Sequence, residues 1–293
     1  MSKKFRFIDL FAGIGGFHRA MHDLGGSCVF ASEIDKHARQ TYRENLKGVS
    51  EHIFKGNNFN EDITKIKPSN IPDFDVLCAG FPCQPFSQAG LKKGFEDHRG
   101  NLFFNIANIL EHKRPRAYFL ENVRGLYKHD NGKTFKVIHD TLSNMGYSVY
   151  HKIVNASDYG LPQHRARIFI IGFKDDSILS SFDFPDSIPL KYNMSEVLEG
   201  SCNKEIGFTL RCGGRGSPIN DRRNWDSYMV DGEIIRLNPA QGLKMQGFPS
   251  EFTFPVSDTQ AMKQLGNSVA VDAIRSCGKV MIDYMNQISK KNS

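Results

Sequence analysis

The chain has 293 residues, of which 40% are hydrophobic and 24% are charged. These values are ordinary for a globular protein and exclude a collagen-like or low-complexity chain. The excess of Lys and Arg over Asp and Glu gives a formal net charge of +6. This mild positive charge suits a nucleic-acid-binding protein, but many enzymes share it, so it does not decide the function by itself.

The apolar runs and the cysteines narrow the class of protein. The longest clear apolar run, residues 168–173, is far too short to cross a membrane. Asp9 interrupts the N-terminal apolar stretch, so we expect no signal peptide. The six cysteines form no Cys-x-x-Cys pair and no cluster with histidine, which argues against a disulfide scaffold, a zinc site and an iron–sulfur cluster. We therefore expect a cytoplasmic protein with reduced thiols, no metal and no membrane association.

Short apolar runs alternate with segments of helical period over the first 173 residues. The runs predict buried strands at residues 5–10, 28–31, 75–79, 117–120, 148–154 and 168–172. The helical periods predict helices near residues 17–24, 103–110 and 135–145. This alternation is typical of the α/β class, here a doubly wound, mostly parallel sheet covered on both faces.

The composition changes after residue 173. Residues 174–256 are rich in Gly, Ser, Asn, Asp and Pro and contain only short apolar runs, and a helical period returns from residue 271 to residue 284. We therefore predict a large domain over residues 1–173 that is completed by residues 257–293. Residues 174–256 are predicted to form a smaller, irregular domain.

A glycine-rich loop follows the first predicted strand, at the sheet edge where ligands bind in open α/β folds. In DLFAGIGGF, Gly13, Gly15 and Gly16 lead into a helix. Such a loop lets a ligand approach the backbone, although a tight turn alone explains it equally well, and the spacing is not that of a dinucleotide-binding fingerprint. Glu33 follows the second strand, where a carboxylate can accept hydrogen bonds from a ribose, and Asp62 is a weaker candidate for the adenine side. Together these residues predict a nucleoside cofactor.

The third and fourth predicted strands are followed by reactive side chains. Cys83 lies between Pro82 and Gln84 in GFPCQPFSQAG. A lone cysteine is usually a small core residue, but flanking prolines and the ligand-binding edge favour a nucleophile here. Glu121 follows the strand at residues 117–120 and shares that edge, although taken alone its carboxylate could simply accept loop N–H groups.

Two arginines alternate before the last predicted strand of the large domain. Arg165 and Arg167 lie in QHRARIFIIG. Exposed arginines usually face solvent, but a pair beside an acidic pocket can bind a base or a phosphate.

Taken together, these segments resemble the DNA (cytosine-5) methyltransferases, in particular the small bacterial modification enzymes. The matching segments, in the order of the family, are DLFAGIGGF, GFPCQPFS, GFEDHRGNLFF, ENV, QHRARIFIIG, RLNPAQGLKMQGFP and QLGNSVA. They extend from Asp9 to Ala270, and the pairing of PCQ with ENV in this order is the most specific part. The resemblance implies a Rossmann-like methyltransferase fold with a smaller target-recognition domain.

The resemblance also implies a methyl donor and a set of catalytic roles. Cys83 would add to the cytosine ring, Glu121 would engage the ring, Arg167 would contact the base carbonyl and Arg165 would support the pocket. The target base would leave the duplex, because its ring atoms are inaccessible in a stacked helix. The methyl donor would be S-adenosylmethionine, bound by Phe11, Gly13, Gly15, Glu33, Asp62, Asn267 and Ser268.

Target recognition is expected in residues 204–236, which we call the recognition segment. Four arginines and one acidic residue lie between Arg211 and Arg223, interleaved with glycines. Arginine forks read guanine in the major groove or bind phosphate, although without the family resemblance a solvated basic loop would be the preferred interpretation. The candidate DNA-binding residues are Ser87, Thr209, Arg211, Arg215, Arg222 and Arg223. We expect a monomer that acts on double-stranded DNA and associates with the nucleoid, and whose cognate restriction endonuclease forms no stable complex with it.

Four other functions are weighed at this point. A tRNA cytosine methyltransferase would use the same Cys83 and Glu121, and the arginine-rich recognition segment favours DNA over it. A catalytically silent DNA-binding protein is disfavoured by the intact Cys83, Glu121 and Arg167. A nicotinamide-dependent oxidoreductase fits the glycine loop but leaves Cys83 and Glu121 unexplained, and the absence of a DPPY-like motif disfavours amino-methylating enzymes.

Removal of the Cys83 thiol should separate chemistry from binding. We expect Cys83→Ala to abolish methyl transfer and to retain S-adenosylmethionine binding, because the predicted cofactor residues lie on other loops. Transfer of a tritiated methyl group and calorimetric titration with the cofactor measure the two properties. Substantial residual methylation by the purified variant would refute the role of Cys83.

Overall fold

The computed structural model describes residues 5–82, 102–174 and 181–291, and Cys83 and Ser87 lie outside them. The strands are β1 (Phe5–Leu10), β2 (Gly26–Ser32), β3 (Phe59–Asn60), β4 (Val76–Gly80), β5 (Ala117–Val123), β6 (Tyr150–Asn155), β7 (Ala166–Phe173), β8 (Ser227–Val230) and β9 (Glu233–Arg236). The α-helices are α1 (Gly16–Asp23), α2 (Lys36–Leu46), α3 (Glu51–Phe54), α4 (Leu102–Lys113), α5 (Lys133–Asn144), α6 (Met194–Leu198), α7 (Pro239–Gln246), α8 (Asp258–Asn267) and α9 (Val271–Lys291). All six strands predicted from the sequence are present, each within a few residues of its predicted bounds.

Within the described residues, one seven-stranded sheet forms the centre of the molecule. Its order is β3-β2-β1-β4-β5-β7-β6. Strands β3, β2, β1, β4 and β5 pair in parallel, and β7 runs antiparallel to both β5 and β6. The sheet is therefore mostly parallel, as the sequence predicts, and the carboxyl ends of β1, β2, β4 and β5 lie along one edge.

Apolar side chains cover both faces of the sheet. On β1, Phe5 and Phe7 belong to one buried cluster, whereas Ile8 and Leu10 belong to another. The first cluster includes residues of α1, α2 and α9, and the second includes residues of α4 and α5. Because successive strand residues point to opposite faces, a strand buried on both sides has a nearly continuous apolar sequence. This burial explains why the apolar runs predicted the strands well.

The smaller part of the chain carries little regular structure among its described residues. It holds the short helix α6, the hairpin β8–β9 and helix α7. The buried Trp225, Tyr228 and Leu237 belong to the same apolar cluster as the first face of the sheet. The recognition segment therefore shares a continuous apolar core with one face of the sheet.

The last helix returns to the beginning of the chain. Helix α9 packs against α1, and Gly278 lies close to Met21 and Leu24 of that region. The C-terminal part of the described chain therefore covers the first helix. In the described part of the chain, no helix is both long enough and apolar enough to span a membrane.

Candidate active site

A cavity of about 380 Å³ lies at the carboxyl edge of the sheet. This volume is within the usual range for small-molecule sites. Eight of the residues singled out by the sequence line it, and they are Phe11, Gly13, Glu33, Asp62, Glu121, Arg165, Arg167 and Asn267. The structure thus brings the predicted nucleoside-binding residues and the predicted cytosine-binding residues into one cavity.

The glycine loop and Glu33 form one wall of this cavity. The N–H groups of Gly13 and Asp35 donate to the two carboxylate oxygens of Glu33, each at 2.7 Å. Burial raises the pKa of Glu33, and these two hydrogen bonds oppose the shift. Gly15 has φ near +90°, a conformation that favours glycine, and a Cβ there would lie 2.4 Å from a methyl carbon of Leu46. Gly15 therefore allows the loop to pack closely against Leu46, and it does not line the cavity.

Apolar and acidic side chains flank Glu33. Ile34 is 71% exposed although it is a large apolar residue, and it lines the cavity together with Phe11. Asp62 accepts hydrogen bonds from the N–H and the hydroxyl of Thr64, which lower the pKa of Asp62. This wall therefore combines a carboxylate that can bind hydroxyl groups with apolar surface that suits a purine ring.

The opposite wall comes from the end of the chain. Asn267 lines the cavity, whereas Ser268 is buried behind it. A Cβ at Gly16 would lie 2.6 Å from Val269 and 3.2 Å from the Ser268 hydroxyl, so the glycine loop and the QLGNSVA segment are in direct contact. Gln264 is a further cavity residue that the sequence reasoning missed. Its Oε1 accepts from Thr41, and its buried Nε2 has no hydrogen-bond partner among the described residues.

Glu121 and Arg167 lie together at one end of the cavity, which is the predicted reactive end. Glu121 is 7% exposed, and its Oε1 lies 3.2 Å from Nε of Arg167. Burial raises the pKa of Glu121, while Arg167 and Arg165 oppose the shift. In the antiparallel register of β5 and β7, Val123 is the direct partner of Arg167. Glu121 lies two residues before Val123 on the same face of the sheet, so its side chain comes close to that of Arg167.

Arg165 is fully buried and acts as an internal tie. Its guanidinium donates to the carbonyl oxygens of Leu210, Gly266 and Ser268. Burial lowers the pKa of Arg165 to about 9. Arg165, which the sequence predicts to support the pocket, joins the recognition segment and the end of α8 to the start of β7.

Asn122, which directly follows Glu121, forms a hydrogen bond with the segment that leads to Cys83. Its Nδ2 donates to the carbonyl of Phe81 at 2.8 Å, and its Oδ1 accepts from the N–H of Val123. Phe81 lies two residues before Cys83. The amide of the ENV motif therefore fixes the backbone that leads into the predicted nucleophile, while Cys83 itself lies outside the described residues.

The arginines of the recognition segment differ in their surroundings. Arg215 donates to the buried carboxylate of Asp226 and to the carbonyl of Leu237. Arg223 pairs with Asp221 at 2.7 Å and lowers the pKa of Asp221 to about 2.

Two further arginines are exposed and make no hydrogen bond or ion pair with the described residues. These are Arg211 and Arg222, which remain free to meet a ligand. Thr209 is half-buried, and its hydroxyl donates to the carbonyl of His164.

Comparisons with known proteins agree with this geometry. The family model of the C-5 cytosine-specific DNA methylases matches residues 5–212 and 210–283. The chain belongs to this family. The methylase is 41% identical to the Type II methyltransferase M.DsaV of Dactylococcopsis salina, over 97% of this chain and 88% of that protein. It is 39% identical to the Type II methyltransferase M.HpaII of Haemophilus parainfluenzae, over 98% of this chain and 92% of that protein.

Solved structures share the fold of the methylase. The S. pombe Dnmt2 methyltransferase superposes with a TM-score of 0.72 at 17% identity, covering 96% of this chain and 99% of that chain. The predicted α/β fold and the predicted methyltransferase class are thus confirmed. The methyl donor of the methylase is S-adenosylmethionine.

Loss of the Arg165 guanidinium should destabilise the methylase. We expect Arg165→Met to lower the free energy of unfolding by about 1–3 kcal/mol for each buried carbonyl left without a donor. The control is Arg222→Met, an exposed arginine without a partner among the described residues, which should change the free energy by about 0.5 kcal/mol or less. Urea unfolding measures both values, and equal stability of the two variants would contradict the role of Arg165 as a tie.

Proposed function

We propose that the methylase is the modification enzyme of a Type II restriction–modification system and methylates carbon 5 of a cytosine within a specific duplex sequence. The similar proteins M.DsaV and M.HpaII are named Type II methyltransferases. One observation carries the proposal. A single cavity holds both Glu33 with its glycine loop and the buried pair of Glu121 and Arg167. Such a cavity can hold a nucleoside methyl donor and a cytosine side by side.

The residues of the cavity fit S-adenosylmethionine. Glu33 offers carboxylate oxygens to ribose hydroxyls, and Ile34 and Phe11 offer apolar surface to a purine. Gln264 offers a buried amide donor without a partner among the described residues, and Asn267 lies on the same wall. When bound, the cofactor supplies a methyl group that its positively charged sulfur makes electrophilic.

Cys83 starts the reaction as the nucleophile. Its thiolate adds to carbon 6 of the cytosine, which moves electron density to carbon 5. Carbon 5 would then take the methyl group, while the bond between that group and the sulfur of the cofactor breaks and leaves its electron pair on the sulfur. A base removes the proton from carbon 5, and the Cys83 thiolate leaves with restoration of the aromatic ring. Asn122 supports the addition of Cys83 because its side chain anchors the Phe81 carbonyl, two residues before Cys83.

Glu121 controls the charge on the ring during this addition. Its carboxyl group is buried, and burial raises its pKa, so a proton is available for ring nitrogen 3 when Cys83 adds. Arg167 holds the other side of this carboxyl group through Oε1. Nη2 of Arg167 makes no hydrogen bond with any described residue, and we assign it to the carbonyl oxygen of the base. The pair thus orients the cytosine and neutralises the charge formed upon addition.

The target cytosine must leave the duplex to reach this cavity. Extrusion costs a few kcal/mol of lost stacking and pairing, and contacts with the surrounding DNA offset this cost. The recognition segment would supply part of these contacts through Arg211 and Arg222, which carry exposed guanidinium groups. The proposed assembly is a monomeric methylase on double-stranded DNA at the nucleoid, next to a restriction endonuclease with which it forms no stable complex.

Methyl-transfer assays on different substrates test the proposed function. We expect the purified methylase to transfer tritiated methyl groups to duplex DNA and not to tRNA. Bisulfite sequencing of DNA from cells that express the methylase should show one modified cytosine in one recurring sequence. Transfer to tRNA alone, or modification without any sequence preference, would overturn the proposal. Extracts that lack the methylase serve as the control.

The protonation of Glu121 should appear in the pH dependence of the methyl-transfer step. Because the pKa of Glu121 is raised, the carboxyl group is protonated below that pKa and loses its proton as the pH rises through it. We expect the single-turnover rate to fall as the pH rises through the pKa of Glu121. Glu121→Gln should lower the rate by about 10²–10⁴-fold and remove this fall of the rate with pH, because its amide donates at every pH. Single-turnover kinetics from pH 5 to pH 9 measure both effects, and an unchanged pH profile in the variant would contradict the role.

A further inference from the structure

A second cleft, of about 320 Å³, lies beside the active-site cavity. Arg167 lines both of them, so the cleft opens next to the reactive end of the cavity. Its other lining residues are Arg124, Asn155, His164, Ala166 and Thr209. None of the roles described above requires Arg124 or His164.

Three strand ends and the recognition segment meet at this cleft. Arg124 directly follows the last residue of β5, three residues after Glu121. Asn155 at the end of β6 pairs with Ala166 at the start of β7. Thr209 belongs to the recognition segment. The cleft therefore lies between the seven-stranded sheet and the recognition segment, which the proposed function places against the DNA.

The backbone of His164 is fixed while its side chain stays free. Its N–H donates to the carbonyl of Gly207 at 2.9 Å, and its own carbonyl accepts from the Thr209 hydroxyl. The imidazole is exposed and makes no hydrogen bond with any described residue. The protein thus holds His164 rigidly between its two parts and leaves the ring available to a ligand.

Arg124 carries a positive charge without an acidic partner in the described part of the chain. It is exposed, and its guanidinium forms no hydrogen bond or ion pair there. Other arginines of the same region differ in this respect, because Arg167 pairs with Glu121, and Arg223 pairs with Asp221. A free guanidinium and a fixed imidazole at one cleft are donors suited to phosphate oxygens.

We infer that this cleft binds the phosphate groups that flank the extruded cytosine, with Arg124 and His164 as the donors. The inference rests on the proposed function. A base that lies against Glu121 and Arg167 remains joined to its sugar and phosphates, which must leave the cavity at its mouth. The cleft shares Arg167 with the cavity and is therefore placed next to the base, where these phosphates can reach it. Contacts made there position the DNA and carry no sequence information.

Two variants and a matched control test the inference. The variants are Arg124→Ala and His164→Ala, and the control is Lys279→Ala, which removes an exposed cation on α9 outside both the cavity and the cleft. Arg124→Ala and Lys279→Ala change the net charge equally, so a difference between them reports position and not total charge. Thermal unfolding and S-adenosylmethionine titration first establish that each variant is folded and retains its cofactor cavity.

Fluorescence anisotropy over a series of salt concentrations measures DNA affinity. We expect Arg124→Ala to weaken binding by about tenfold on every duplex sequence alike. The slope of log K against log salt should become shallower by about 0.9. His164→Ala should weaken binding by a smaller factor, and Lys279→Ala should leave affinity and slope unchanged. Bisulfite sequencing should show the same methylated sequence for all variants.

Neutral phosphate analogues locate the contact on the DNA. A duplex with methylphosphonate linkages on both sides of the target cytosine should bind the wild-type methylase more weakly than the unmodified duplex. Arg124→Ala should show little of this loss, because the contact is already absent. Equal losses in the wild type and in Arg124→Ala, or no loss in the wild type, would overturn the inference.

The controls also separate the inference from the proposed function. If the wild-type methylase neither binds nor methylates duplex DNA, the proposed function fails. If it does both, and Arg124→Ala retains wild-type affinity and salt slope, only the assignment of the cleft fails.

Discussion

The buried guanidinium of Arg165 donates to carbonyl groups from two distant parts of the chain. One is in the recognition segment at Leu210, and the others are at Gly266 and Ser268. Three separate segments therefore meet at a single side chain that borders the cavity. A lysine could not replace it without loss, because a compact ammonium group lacks the planar fork that reaches several acceptors at once. The relative position of the end of α8, the start of β7 and the recognition segment depends on this group.

The charge balance around Glu121 follows from the same arrangement. Burial favours the neutral carboxyl group, whereas Arg167 and Arg165 favour the carboxylate. These opposing effects are what a group needs if it is to hold and share a proton during a reaction. An isolated buried glutamate would keep its proton, and an exposed one would have lost it. Arg167 therefore has two effects on the site, because it orients the carboxyl group and moderates its pKa.

The sequence predicted the sheet and the cavity well because both depend on local pattern. The strands are buried on both faces, so their apolar runs stand out, and polar residues that follow parallel strands must meet at one edge. Helix α2 was not predicted, because its sequence KHARQTYRENL contains few apolar residues and gives a weak periodic signal. The partners of Arg165 could not be predicted either, since its acceptors lie from 45 to 103 residues away along the chain. No local pattern indicates the contact between Asp226 and Arg215, or the buried Gln264 amide that has no partner among the described residues.

The contact between α9 and α1 has a consequence for the order in which the protein is completed during synthesis. Helix α1 follows the glycine loop, yet the helix that covers it lies far downstream in the sequence and emerges from the ribosome long after it. Asn267 and Gln264, on the opposite wall of the cavity, also emerge late. Contacts between residues so distant in sequence form slowly, because a long loop must first close. A nascent chain therefore exposes the apolar surface of α1 until α9 arrives, and it gains a complete cavity only after α8 has been synthesised.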